Sequence, residues 1–136
     1  MRFAATDALP GAERTVELPA TAAAAAIARR ELAATPGLGG ELGYKVLLLA
    51  SELIAVFVAD AEPRPGAVLR LSIAVAAQRV RITVAGDAPH VSTHALLQSR
   101  ETPSLGGYGL QIVERMADAW GTARADGEQI WFELSR

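Results

Sequence analysis

Residues 106–113 read Gly106-Gly107-Tyr108-Gly109-Leu110-Gln111-Ile112-Val113. Three glycines in four positions open a helical pattern, Leu110–Trp120. Leu110, Val113, Ala117 and Trp120 fall on one face of that pattern, and Gly121 is expected to end it. Glycine lets a backbone approach a ligand closely, and a helix start offers unpaired N–H groups with a partial positive charge. That pairing suits phosphate. It also suits an ordinary turn, so both readings stand at this point.

Upstream of the glycines, residues 85–108 show no clear period. A stretch of that length in a compact domain is functional, disordered, or hides a short helix, for which Ala95–Gln98 is the candidate. Before it lie two alternating runs. Leu69, Leu71, Ile73 and Val75 face one way, with Arg70 and Ser72 opposite. Val80, Ile82 and Val84 alternate with Arg79, Arg81 and Thr83. The short Ala76–Gln78 link predicts an antiparallel hairpin with one buried face. Glu62-Pro63-Arg64-Pro65-Gly66 is a turn.

Further upstream, Leu42, Val46, Leu49, Leu53, Val56 and Phe57 recur at helical spacing, predicting a helix from Glu41 to about Ala61. An alanine-rich helix precedes it, capped by Thr21 and broken by Pro36-Gly37 and Gly39-Gly40. Thr15–Leu18, ended by Pro19, suits an edge strand. Residues 1–13 read as a leader to a single domain over 14–136. Downstream of the glycines, Asp126-Gly127 marks a second hairpin, with Ile130, Phe132 and Leu134 facing inward. Trp131 alternates with them and is expected on the other side of the last strand, where an exposed tryptophan would indicate a partner surface. The order β-α-α-β-β-loop-α-β-β predicts an α+β two-layer sandwich, three helices against one antiparallel or mixed sheet.

Composition narrows the function classes. The 136 residues carry 13 basic and 15 acidic side chains, a net charge of −2, which gives no global case for nucleic acid or an anionic membrane as partner. Hydrophobic residues make up 51%, which excludes disorder throughout. Much of that fraction is alanine, 28 residues, so the core is lighter than the figure suggests. Of the basic residues only Lys45 is a lysine. With no cysteine, disulfides, thiolate metal sites and cysteine nucleophiles are all excluded, and a cytoplasmic setting is expected. The longest apolar-rich stretch, Val46–Ala61, is interrupted by Ser51, Glu52 and Asp60 and falls short of a membrane span.

Four pieces together carry a family resemblance: Ser51-Glu52-Leu53, Gly107-Tyr108-Gly109-Leu110, the Ala-Asp-Ala-Trp-Gly run at 117–121, and Trp131-Phe132-Glu133-Leu134. Their order resembles the histidine-kinase-like ATPase superfamily, the Bergerat or GHKL fold. Within it the chain looks closest to the anti-sigma factor serine/threonine kinases. The resemblance spans roughly residues 14–135.

The resemblance implies specific roles. A glutamate on the long helix activates the attacking hydroxyl or water, and an asparagine four residues later ligates Mg²⁺ on the nucleotide phosphates. Spacing of i,i+4 puts both on one helical face. The glutamate matches Glu52, and Val56 stands at the asparagine position, without an oxygen to offer a metal. One turn on, where relatives often carry a basic residue or histidine, stands Asp60. An aspartate after the hairpin binds the adenine amino group. In-register matching places Gly86 there, with Asp87 one residue later as the candidate contact if the strand bulges.

Gly107, Gly109 and Leu110 match the phosphate-side turn and helix start, with Tyr108 where relatives often have arginine. Residues of about 86–108 would form a lid over the nucleotide, with hydroxyls at Ser92, Thr93, Ser99, Thr102 and Ser104. The implied cofactors are ATP, bound weakly or lost, and Mg²⁺, whose ligand is missing. The implied partners are a sigma factor or an antagonist protein, and a homodimer is compatible with the edge at Thr15–Leu18.

On the helical pattern alone, Glu52 would be a solvated residue at the helix edge; the resemblance turns it into a pocket residue. His90 and His94, four apart, lack a third ligand at recognisable spacing, so no metal site is expected. Arg29-Arg30 reads as a solvated helix face.

Overall fold

The structure, a computed structural model, describes residues 12–60, 66–86, 110–124 and 128–136. The chain runs β1 (Ala12–Pro19), α1 (Ala24–Ala33), α2 (Gly40–Asp60), β2 (Val68–Val75), β3 (Arg79–Gly86), α3 (Leu110–Met116), β4 (Ala119–Arg124) and β5 (Glu128–Ser135). The strands form one sheet in the order β1-β2-β3-β5-β4, and every pairing is antiparallel. This is the α+β two-layer sandwich expected. The open choice between a mixed and an antiparallel sheet falls to the latter.

Alternation decides which face of the sheet is inner. Leu69, Leu71 and Ile73 pair across the register with Gly86, Val84 and Ile82, and Ile82 and Val84 pair in turn with Phe132 and Ile130. All of these residues apart from Gly86 join Leu18, Val80 and Leu134 in one core cluster under the helices. From α1 come Ala24, Ala28 and Leu32, four residues apart, so a single narrow stripe is buried. Alanine in that stripe lets α1 lie close to α2. The long helix contributes Val46, Leu49, Leu53, Ile54, Val56 and Phe57, each at most 1% exposed. It packs against α1 on one side and α3 on the other, and spans the sheet across β3 and β5.

The connection between α1 and α2 depends on glycine. A Cβ on Gly43 would collide with the Leu38 carbonyl, so the turn before α2 folds back onto the helix only because that position is bare. Arg14 ties β1 to the end of α1. Its guanidinium reaches Glu31 Oε2 at 2.6 Å, the Glu31 carbonyl at 3.0 Å and Thr35 Oγ1 at 2.8 Å.

Several expectations change. The first strand begins at Ala12, inside the stretch read as leader, and covers eight residues rather than four. Thr21 does not cap α1 directly. The N-cap is Ala23, whose N–H bonds to Thr21 Oγ1 at 3.2 Å, so the threonine makes the turn ahead of the helix.

The last helix is shorter than its pattern. It ends at Met116, and Ala119–Arg124 is a strand, because pairing of Trp120 with Phe132 and Thr122 with Ile130 extends the sheet. Gly121 is therefore a strand residue, not a helix terminator. It lies opposite Trp131, and a Cβ on it would come 2.8 Å from the indole ring. Trp131 does point to the outer side of the sheet, but it is fully buried, not an exposed partner surface.

Candidate functional site

On α2 the side chain at position 52 lies one turn before that at 56, so the two share a helical face. Glu52 is 7% exposed, and among the described residues its Oε2 has no hydrogen-bond partner. A buried acceptor left unsatisfied costs about 1–3 kcal/mol. Glu52 is thus not a solvated edge residue, and among the described residues its Oε2 is not spent on a structural contact. It sits on a helix whose neighbours Leu49, Leu53 and Val56 are core. A buried acceptor without a partner among the described residues is a candidate for a functional site.

Val56 is 1% exposed and belongs to the same core cluster as Phe57 and Val84. Magnesium takes oxygen ligands. A valine packed in hydrocarbon supplies none, so the residue at the metal position does not fit the ion. Among the described residues no group of three His, Cys, Asp or Glu side chains could hold a metal.

Gly86 is the last residue of β3 and pairs with Leu69. The strand therefore ends at the position matched to the adenine-binding aspartate, which is a glycine. Leu110 is the first residue of α3, as the pattern required of the helix start. Asp87, Tyr108, Gly107 and Gly109 lie outside the described residues, as do the lid segment, His90, His94 and the Asp126-Gly127 turn. The structure therefore brings Glu52 and Val56 to one face of α2 and sets α3 against that helix.

The sequence reading missed a charged network on the outer face of the sheet. Arg81 and Glu133 pair directly across β3 and β5. Arg81 Nε and Nη2 both reach Glu133 Oε2, at 2.7 and 2.6 Å, and Arg79 Nη1 approaches Oε1 at 3.4 Å. Glu133 is 2% exposed and Arg81 7%. The Arg81 guanidinium also stands 5.0 Å from the centre of the Trp131 ring. The available signal was the alternation itself: Arg79, Arg81 and Glu133 occupy the parity opposite to the core valines. Their union on the far side of the sheet gives this network a structural role, away from the face of α2.

A long helix with a buried acid, laid with two others on one face of an antiparallel sheet, makes an α+β two-layer sandwich. The model of the histidine kinase-like ATPase domain matches residues 16–134, and the chain belongs to that family. Among curated proteins, no match to the chain was found. None of the described helices is long and apolar enough to cross a membrane.

Proposed function

We propose that the protein is a regulator that kept the histidine-kinase-like ATPase fold while its nucleotide site degenerated, acting as anti-sigma factor serine kinases do. It would control transcription from the cytoplasm by binding a sigma factor or the antagonist of one. The observation that carries the reading is Val56. Phosphoryl transfer relies on a cation to neutralise and position the phosphates, and the ligand for that cation is a core hydrocarbon here. The glycine at position 86, and the tyrosine at 108 where relatives often have arginine, point the same way.

One observation favours a second reading, an active protein serine kinase acting on an anti-anti-sigma antagonist. Glu52 keeps a free, buried carboxylate oxygen. Such an oxygen can take the proton of a serine hydroxyl as that hydroxyl attacks a phosphoryl group.

Calorimetric titration of the purified chain with ATP and ADP, each with and without Mg²⁺, separates the two. The degenerate site predicts no heat, or weak binding indifferent to Mg²⁺. Micromolar ATP binding that requires Mg²⁺ would replace it with the kinase reading.

A further inference from the structure

The sheet has two faces, and the three described helices pack on one of them. Side chains on the other face are expected to meet water. Along β1 they do: Glu13, Thr15 and Glu17 are exposed. Across the rest of that face runs a band that water does not reach. It begins at Ala74 and Ala76, each 7% exposed, passes Arg81 at 7%, Glu133 at 2% and Ala119 at 2%, and includes Trp131 at 0%. Ala74, Arg81, Glu133 and Ala119 stand opposite one another on β2, β3, β5 and β4, so they share this face.

Neighbours within the sheet do not account for the burial. Gly121 lies beside the Trp131 ring, and the Arg81 guanidinium stands 5.0 Å from its centre. Yet Arg81 and Glu133 are themselves shielded, so the outermost layer lies beyond them. No described helix or strand is on that side. The burial is that of a single chain, so the cover belongs to the chain itself.

Four stretches lie outside the described residues: 1–11, 61–65, 87–109 and 125–127. Three of them meet the sheet at one end. Residues 61–65 lead toward the start of β2, 87–109 leave from Gly86 and return to α3 on the helical side, and 125–127 join β4 to β5. The pairs Leu69 with Gly86, Ala85 with Gln129 and Arg124 with Glu128 mark that end. There the outer face opens, with Arg70, Ala123 and Gln129 half-buried. Ala85 is 5% exposed, but it stands between Arg70 and Gln129, whose long side chains shelter a residue that small. The band lies toward the opposite end. Of the four stretches only residues 1–11 enter there, through Ala12 opposite Val75 and Glu13 opposite Ala74.

We propose that residues 1–11 cross the outer face of the sheet as a strap and cover this band. Reach permits it. From β1 to β4 is four strand spacings, about 19 Å at ~4.8 Å each, and eleven extended residues span about 36 Å. Shape permits it too. Ala74, Ala76, Ala119 and Gly121 leave a shallow floor on which a chain can lie close to the sheet. The segment brings Phe3 and Leu9 to bury, with alanines between them that need little room. Charge agrees. Arg79 and Arg81 share the one carboxylate of Glu133, and the Arg79 side chain is 47% exposed with a contact of only 3.4 Å. Asp7, the one acid of the segment, supplies a second carboxylate. The strap keeps water from the Arg81–Glu133 pair, and its release would uncover Trp131 beside two arginines.

The chain has no cysteine, so a nitroxide can be attached at a single introduced one. In the full chain labelled with ¹⁵N, two indole N–H signals report the two sides of the sheet. Trp131 is on the outer face, and Trp120 packs against the core on the inner one. A nitroxide at Thr6→Cys should broaden the Trp131 indole signal more than that of Trp120, and one at Thr102→Cys should not. In a Trp120→Phe background, deleting residues 2–11 should move Trp131 emission to longer wavelength and admit acrylamide, with the far-ultraviolet circular dichroism retained.

A Thr6 label that spares Trp131 or broadens Trp120 more, or a Thr102 label that broadens Trp131 more than the Thr6 label does, would overturn the proposal. So would a folded, shortened chain with Trp131 emission unchanged. The nitroxide pair decides the matter even where the shortened chain does not fold. Nucleotide is absent throughout, so the strap and the degenerate-site reading stand or fall separately.

Discussion

Replacing Val56 with asparagine puts an oxygen at the position where the family resemblance implies a metal ligand, and the structure sets what that change costs. Val56 is 1% exposed, so its burial contributes about 1.5–2 kcal/mol that asparagine would forfeit in large part. Bringing an amide into the same space costs about 1–3 kcal/mol more. One compensation is available. Glu52 Oε2, one turn away, has no partner among the described residues and can accept from the new amide, returning about 1 kcal/mol. The net expectation is a loss of about 2–3 kcal/mol, a sizeable part of the roughly 5–15 kcal/mol that holds a small domain folded.

Urea unfolding followed by circular dichroism measures the loss directly. Repeating it with ATP and Mg²⁺ at high concentration reads the site. A ligand at 100 times its dissociation constant adds about 2.7 kcal/mol to the folded state, enough to return most of what the substitution removes. The parent should show no such gain. Two outcomes would refute the reasoning: an unchanged urea midpoint, which would mean that position 56 faces an open pocket, or equal stabilisation of parent and variant by Mg²⁺ with ATP.

Glu52→Met should raise stability by about 1 kcal/mol, because it removes an unsatisfied buried acceptor while keeping a similar volume; a urea midpoint that falls would mean that Glu52 is satisfied in solution. Gly121→Ala should cost about 1–3 kcal/mol and alter tryptophan fluorescence, since the added methyl would meet the Trp131 ring at 2.8 Å; an unchanged emission spectrum would contradict that packing. Glu133→Gln leaves Arg81 buried without its counter-charge and should cost about 3 kcal/mol. The double variant Arg81→Met/Glu133→Leu should be less destabilised than the single one, and strict additivity in that cycle would show the pair to be uncoupled.

What the sequence disclosed follows from how local each signal is. The hairpin Val68–Gly86 was readable because two runs alternate cleanly and a three-residue link leaves one antiparallel register. Helix α2 was readable because its apolar residues, from Leu42 to Phe57, repeat over about four turns. The helix after the glycines was not delimited, and the reason is physical. Val113, Ala117 and Trp120 satisfy a helical period, yet Trp120 and Thr122 also satisfy the strand period, and cross-strand partners in β5 decided between them. Those partners are distant in sequence, so no local pattern could weigh them. The same holds for Trp131. Its parity was correct, but its burial depends on a glycine ten residues upstream and an arginine on the neighbouring strand.

The candidate site divides along the same line. Four residues along a helix make one turn, so the shared face of Glu52 and Val56 follows from spacing alone. Spacing could not decide between a carboxylate in water and one buried without a partner, because that depends on how α3 and the sheet close around α2. The structure makes Glu52 the second of these, and it makes Val56 a core residue on the same turn. The two findings pull in opposite directions. An acceptor kept at a cost in stability speaks for a ligand, while a hydrocarbon at the metal position speaks against the usual one. They are reconciled if the ligand that Glu52 receives is a hydrogen-bond donor that needs no metal. For that reason the titrations without Mg²⁺ carry as much weight as those with it. Binding of ADP or ATP that survives a chelator, and is lost in Glu52→Met, would join the two observations in one site. Binding that survives Glu52→Met would separate them.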